Sequence, residues 1–276
     1  MEKIESGKTM KRNIVFFLSI LVSLIFIGFQ STVHAAENQS TNEISQVDHS
    51  GWIQVKAPAH IPILMYHSIS KGNSLRLPEK KFRAQMEWLK DHGYYTLSAK
   101  EAYLVLTRDI KPAKKVVWLT FDDGYSDNYE KAYPILKKYG MKATISVIGR
   151  SYGKENHMGK RQLSELHSNG FSIASHTIHH LDLDTMSANA QYKEMIDSKK
   201  WLDRLFHQNT ILLCYPAGRY NSNTIAMAKK AGYLMAITTE PGSASRTEGL
   251  YSLHRIRITP GMSLEGFGRI VQQANE

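Results

Sequence analysis

The sequence predicts an α/β protein, a distorted (β/α) barrel of parallel strands with its active site at the C-terminal strand ends. Three observations carry this. From Ile61 onward, short apolar runs alternate with amphipathic stretches, the order expected of parallel strands joined by crossover helices. The connections between them lack the two-residue signatures of β-hairpins. About eight such units occupy about 215 residues, a length that suits one barrel. An open doubly wound sheet is the structural alternative. No G-x-G-x-x-G follows an early strand, so a dinucleotide site has little support.

Eight runs read as strands: Ile61–Tyr66, Tyr94–Leu97, Val116–Phe121, Ala143–Ile148, Phe171–Ser175, Ile211–Tyr215, Leu234–Thr238 and Leu253–Ile258. They are rich in β-branched and aromatic residues and bounded by Gly, Pro, Asp or Asn. Between them lie helical patterns. Phe82, Met86 and Leu89 recur at i, i+4 and i+7, and Gly93 ends that helix. Ser98 and Glu101 have the spacing of a capping box for the next. Gly140, Gly170 and Gly232 follow the apolar residues of three later helices, where a left-handed stop belongs.

Ahead of the barrel, Lys3, Lys8, Lys11 and Arg12 precede an uncharged run from Ile14 to Phe29, and Val33-His34-Ala35 supplies a small-residue exit. This reads as an export signal over residues 1–35. The run of 16 residues falls short of the roughly 20 that span a bilayer, and an uncleaved anchor is the alternative. Residues 36–60 read as a polar tether whose Trp52, Ile53 and Val55 offer an edge strand. Residues 61–276 form the domain.

Composition narrows the class. With 42% hydrophobic and 22% charged residues, the chain is neither largely disordered nor a multi-span membrane protein. A single cysteine, Cys214, excludes a disulfide framework and a Cys-rich zinc site. The formal net charge is +10, and loss of residues 1–35 removes four basic and two acidic groups to leave +8. For an exported protein this charge points to an anionic cell-wall polymer or the membrane surface, not to nucleic acid. Nothing in the pattern bears on oligomeric state.

Three clusters follow strand ends, where parallel α/β folds gather functional groups. They are Asp122-Asp123-Gly124, His176-Thr177-Ile178-His179-His180 and Pro216-Ala217-Gly218. Adjacent carboxylates on extended backbone point apart, so one can ligate a metal while the other handles a proton. Asp-Asp-Gly is also ordinary turn chemistry. His176 and His180 meet on one helical turn or tight loop, and His179 cannot share that face if the segment is helical. Two histidines with one carboxylate from another strand end form a common open metal site.

Thr120-Phe121-Asp122-Asp123-Gly124 together with His176-Thr177-x-x-His180 closely resembles the polysaccharide deacetylases of carbohydrate esterase family 4. Pro62-Ile63-Leu64-Met65-Tyr66-His67 looks like the opening strand of a subgroup acting on exopolysaccharide or cell-wall glycan. Tyr215-Pro216-Ala217-Gly218 and Leu253-His254-Arg255-Ile256 resemble further blocks, and the likeness runs from about Ile61 to Ile270. The resemblance implies an exported, metal-dependent N-deacetylase acting on N-acetylglucosamine units of peptidoglycan or poly-N-acetylglucosamine. It implies Asp123, His176 and His180 as ligands of a divalent metal, foremost Zn²⁺. Asp122 would be the general base and the Ala217 N–H the oxyanion donor. His67 or His254 would be the general acid, with His67 favoured.

Two departures stand out. Where many members carry an arginine that orients the base, this chain has Cys214, read as a small buried residue. Another group must then set the geometry of Asp122. Ala217 replaces the usual aromatic and opens the site, and the block with a second aspartate and Trp has no counterpart near Thr238-Thr239-Glu240. Rival readings are an O-acetyl glycan esterase, a non-haem Fe(II) oxygenase and an inactive glycan-binding domain. The oxygenase would need no second aspartate as base, and the intact Asp122/Asp123 pair with both histidines argues against the inactive module.

Overall fold

The computed structural model describes residues 44–275, so the export signal and residues 36–43 of the tether lie outside the described residues. Ten strands form: β1 Trp52–Gln54, β2 Ile63–Tyr66, β3 Tyr94–Thr96, β4 Ile110–Pro112, β5 Lys115–Phe121, β6 Thr144–Val147, β7 Ser172–Ser175, β8 Leu212–Cys214, β9 Met235–Pro241 and β10 Leu253–Arg257. The helices are α1 Glu79–Asp91, α2 Ala99–Arg108, α3 Tyr133–Lys138, α4 Lys160–Ser168, α5 Ala188–Phe206, α6 Ser222–Lys230 and α7 Leu264–Gln273. Among the described residues no helix is long and apolar enough to cross a membrane.

Each of the eight strand runs becomes a strand, but the barrel has seven staves. β2, β10, β9, β8, β7, β6 and β5 pair in that order, and β5 pairs back onto β2 to close the ring. Every pairing in the ring is parallel. β3 stays outside it, pairing with Lys115–Val117 at the start of β5, while Trp118–Phe121 at its end pair with β2.

Alternation along the strands separates an interior from an outer layer. Val116, Trp118, Ile63, Ala174, Leu212, Cys214, Met235, Ile237 and Leu253 fill the barrel interior, against which α2 lays Ala99, Ala102, Val105 and Leu106. Leu64, Tyr66, Val117, Leu119 and Phe121 face outward onto α1, which buries Phe82, Met86 and Leu89. α2 starts at the Ser98/Glu101 capping box, which satisfies orphan N–H groups of its first turn.

β1 pairs antiparallel with β4, the Val55 N–H donates to the Asp109 carbonyl at 2.8 Å, and the Asp109 carboxylate accepts the Ala59 N–H at 2.9 Å. Residues 52–60 are therefore packed structure, as the edge-strand reading of Trp52, Ile53 and Val55 anticipates. Ile44 and the residues after it group with the barrel in one compact unit, and pairing with β4, which periodicity around Pro112 does not reveal, ties residues 52–54 to it.

Phe82 ties the outer layer to the strand ends that matter. It is fully buried and meets Tyr66 and Phe121 edge-on at 5.4 and 5.7 Å between ring centroids. Those two residues immediately precede His67 and Asp122. Phe82→Ala is expected to cost about 3–5 kcal/mol, the range for emptying a buried aromatic site. Urea unfolding checks this, and a loss under about 1 kcal/mol would contradict the packing.

Candidate active site and metal centre

The inward series continue past the strand ends and deliver polar groups to one mouth of the barrel. On β5, Val116 and Trp118 are followed by Thr120 and then Asp122. On β7, Ala174 is followed by His176. Before β2, Ile61 and then Ile63 begin the series that reaches His67. From β10, Arg255 reaches the same space after Leu253, next to a register shift against β9.

Arg255 is fully buried and Asp122 nearly so. The guanidinium grips Asp122 with two parallel bonds, Nη1 to Oδ1 at 2.9 Å and Nη2 to Oδ2 at 2.7 Å. Its remaining donors reach the Thr238 carbonyl at 2.6 Å, Thr120 Oγ1 at 3.2 Å and Cys214 Sγ at 3.5 Å. Every arm of the fork is used, which a buried charge requires. Burial alone would raise the Asp122 carboxyl, but Arg255 outweighs it and holds the group well below the usual carboxylate range. This arginine fills the duty left open by Cys214, whose side chain is buried as expected. The sequence hides it because Leu253-His254-Arg255-Ile256 fits two strand registers equally.

Asp123 leaves the barrel in the other direction. Its φ of 72° is left-handed, and its Oδ1 lies 3.5 Å from His176 Nε2 and 3.8 Å from His180 Nε2. The two imidazoles meet edge-on at 4.7 Å between centroids. One donor atom from each of the three residues lies within 4.8 Å of the others. Around a cation with bonds of roughly 2.0–2.1 Å, tetrahedral donors sit roughly 3.3–3.5 Å apart, so the set fits a small divalent metal with slight contraction. His176 Nδ1 donates to the Cys214 carbonyl at 2.7 Å, turning its Nε2 lone pair toward Asp123. A second donor set joins His176 to Asp122 and Cys214. There the Arg255 guanidinium already occupies both other partners, and its charge repels a cation.

The histidine segment is a loop, not a helix, with Thr177 and His180 left-handed at φ 62° and 56°. Left-handed backbone costs a non-glycine residue about 1–3 kcal/mol and persists only where surroundings enforce it. Glu194 on α5 does the enforcing. One oxygen accepts the Ile178 and His179 N–H groups at 3.1 and 2.9 Å, and the other accepts His179 Nδ1 at 2.6 Å. His179 is thus a fastener of the loop rather than part of the donor set. Of the seven non-glycine residues with positive φ among the described residues, Asp123, Thr177, His180 and Ala217 lie in this region.

His67 is brought in and His254 is not. His67 Nε2 is 3.9 Å from Asp122 Oδ2, and its backbone carbonyl accepts from Asn128 Nδ2 at 2.7 Å. Burial lowers the His67 pKa despite the pull of Asp122 and Asp123. His254, one residue before the inward Arg255, pairs with Glu240 at 3.0 Å, on the far side of the strand from Asp122. Ala217 stands exposed at φ 52° in the turn after β8.

Known proteins share this fold and much of this sequence. The polysaccharide deacetylase family profile matches residues 109–236. The Bacillus subtilis (strain 168) protein YxkH, which carries a polysaccharide deacetylase name, is 56% identical over 225 residues, covering 82% of this chain and 81% of its own. The poly-β-1,6-N-acetyl-D-glucosamine N-deacetylase of Staphylococcus aureus (strain NCTC 8325 / PS 47) is 29% identical over 226 residues, covering 71% of this chain and 78% of its own. The structure of the Streptococcus pyogenes deacetylase PplD in complex with acetate superposes with a TM-score of 0.75 at 44% identity, covering 78% of this chain and 99% of that one.

The Arg255–Asp122 pair predicts a pH signature. Because the folded Asp122 pKa is depressed, its contribution to stability is full above the unfolded value near 3.9 and fades as pH falls below it. Arg255→Met strands the buried carboxylate and is expected to cost about 3–5 kcal/mol at neutral pH. In the variant, burial favours the protonated form, so the cost shrinks as pH falls toward about 4. Denaturation across pH checks this; a cost independent of pH would detach it from Asp122.

Proposed function

This chain belongs to the polysaccharide deacetylase family, and from that premise we propose that it is exported and metal-dependent, removing acetyl groups from N-acetylglucosamine units of a polysaccharide. The observation that carries the reading is the division of labour within Asp122-Asp123, one carboxylate locked to Arg255 and the other turned to His176 and His180. The donor chemistry suits Zn²⁺. Peptidoglycan and poly-N-acetylglucosamine both supply such units. The basic head and apolar run before Ala35 support export, and the positive charge supports contact with anionic wall polymer or the membrane surface rather than nucleic acid.

Asp123, His176 and His180 would hold a divalent cation, which would supply Lewis acidity at the acetamide carbonyl. The chain's own groups handle the rest. Asp122 keeps lone pairs free beyond its bonds to Arg255 and takes the proton of the water that attacks the carbonyl carbon. The Ala217 N–H stabilises the oxygen as negative charge collects there. His67, within 3.9 Å of Asp122, relays the proton that Asp122 takes from the water to the sugar nitrogen as the C–N bond breaks. Acetate and a free amine result.

Metal analysis and acetate release from N-acetylglucosamine oligomers test the assignment. Asp123→Ala and His176→Ala are expected to lose both metal and turnover. Asp122→Asn should keep the metal and lose at least about a hundredfold in kcat, the usual weight of a positioned acid or base. His67→Ala should fall comparably, and His254→Ala should stay within a few fold of the parent. An Asp122→Asn enzyme at full rate would overturn the base assignment.

A further inference from the structure

We propose that the groove beside the metal donors is built for a negatively charged glycan, with Arg150 pairing with an anionic substituent on the sugar next to the one that loses its acetyl group. The inference rests on the deacetylase reading of the same site and narrows its substrate class.

The groove measures about 300 Å³ and is lined in part by Asp123, Tyr125, Arg150, His157, His179 and His180. Two of these belong to the donor set, so whatever fills the groove adjoins the reacting acetamide. Arg150 is held there by the donor loop itself. It lies in the short turn Gly149–Ser151 after β6. The Gly149 N–H donates to the Thr177 carbonyl at 3.0 Å and the Arg150 N–H to the Ile178 carbonyl at 2.7 Å. Both acceptors stand between His176 and His180. Gly149 packs so closely that a Cβ would come within 2.8 Å of Ile178 Cδ1 and 3.3 Å of its Cα. The base of the Arg150 side chain therefore cannot drift relative to the donors.

Its guanidinium is exposed, and among the described residues no carboxylate is paired with it. The nearby acids are already committed. Asp123 faces its two histidines, Asp127 accepts from Ser68 Oγ at 2.6 Å and from the Ile69 N–H at 3.0 Å, and Glu194 carries His179. Arg76, whose charge reaches Tyr125, adds to the positive side of the groove and donates to Ser70. Tyr125 and His157 stack at 5.2 Å and 27°, forming an aromatic wall for the apolar face of a sugar ring.

A neutral glycan leaves the guanidinium in water and gains nothing from it. A carboxylate or phosphodiester oxygen pair matches its fork bidentately, in the geometry that distinguishes arginine from lysine. The charge of +8 left after removal of residues 1–35 draws the same class of polymer toward the protein.

Direct binding titrations of the full chain test this with three probes: an N-acetylglucosamine tetramer, its counterpart bearing lactyl-ether carboxylates on alternate sugars, and a counterpart carrying a phosphodiester. The parent protein is expected to bind one anionic probe at least roughly tenfold tighter than the neutral one, the weight of one charge-assisted hydrogen bond. The preferred probe identifies the source of the charge. Arg150→Gln should collapse that ratio toward one, and Arg150→Lys should retain part of it at low salt only. Equal binding of all three probes by the parent, or a ratio unchanged in Arg150→Gln, overturns the proposal. Acetate release is scored separately. Selective binding without acetate from any probe would reject the deacetylase reading and leave the anion preference standing.

Discussion

A buried carboxylate is the constraint around which this barrel is arranged. Asp122 ends an inward-facing series on β5, and that series has nowhere else to place it. An isolated charge there would be intolerable, so a counter-charge must come from another stave with geometry good enough to offset the desolvation of both. Arg255 does this with five contacts, one of them to the Thr238 carbonyl on β9. The pair therefore links β5, β9 and β10 across the interior.

The second carboxylate obeys opposite rules. Asp123 turns away through a left-handed backbone, and the loop that carries its histidine partners is left-handed twice more. Strain of this kind is stable only when opposed, and the opposition comes from Glu194 on a helix outside the barrel. The donor cluster is thus shaped from behind. Two backbone bonds from the Gly149 turn brace the same loop from its other side.

Much of this was legible in the sequence, and the residues that were not have physical reasons. All eight strand runs were readable because each couples β-branched residues to a turn signal. The Asp122-Asp123 and His176/His180 clusters were readable because local spacing carries their chemistry. Closure with seven staves was not, since β3 and β2 take successive segments of one strand, β5, and no local pattern encodes shared pairing. Arg255 was hidden by a sequence in which His254, Arg255 and Arg257 fit either face, and by the register shift at Leu253/Arg255. Glu194 was hidden because the buried stripe of α5 also includes Ser198 and Lys199, which blurs its apolar period. His254 faces away from Asp122 for the same reason that Arg255 was hidden: adjacent residues on a strand exchange faces with a single step of register.

The contact from residue 214 to His176 comes from a main-chain carbonyl, and every residue type has one. The charge that governs Asp122 comes from residue 255. The side chain at 214 thus carries neither duty, which is why a cysteine is sufficient there. A chain with arginine at neither position would bury an unpaired carboxylate and lose several kcal/mol, so the cysteine at 214 is tolerated only while Arg255 stands.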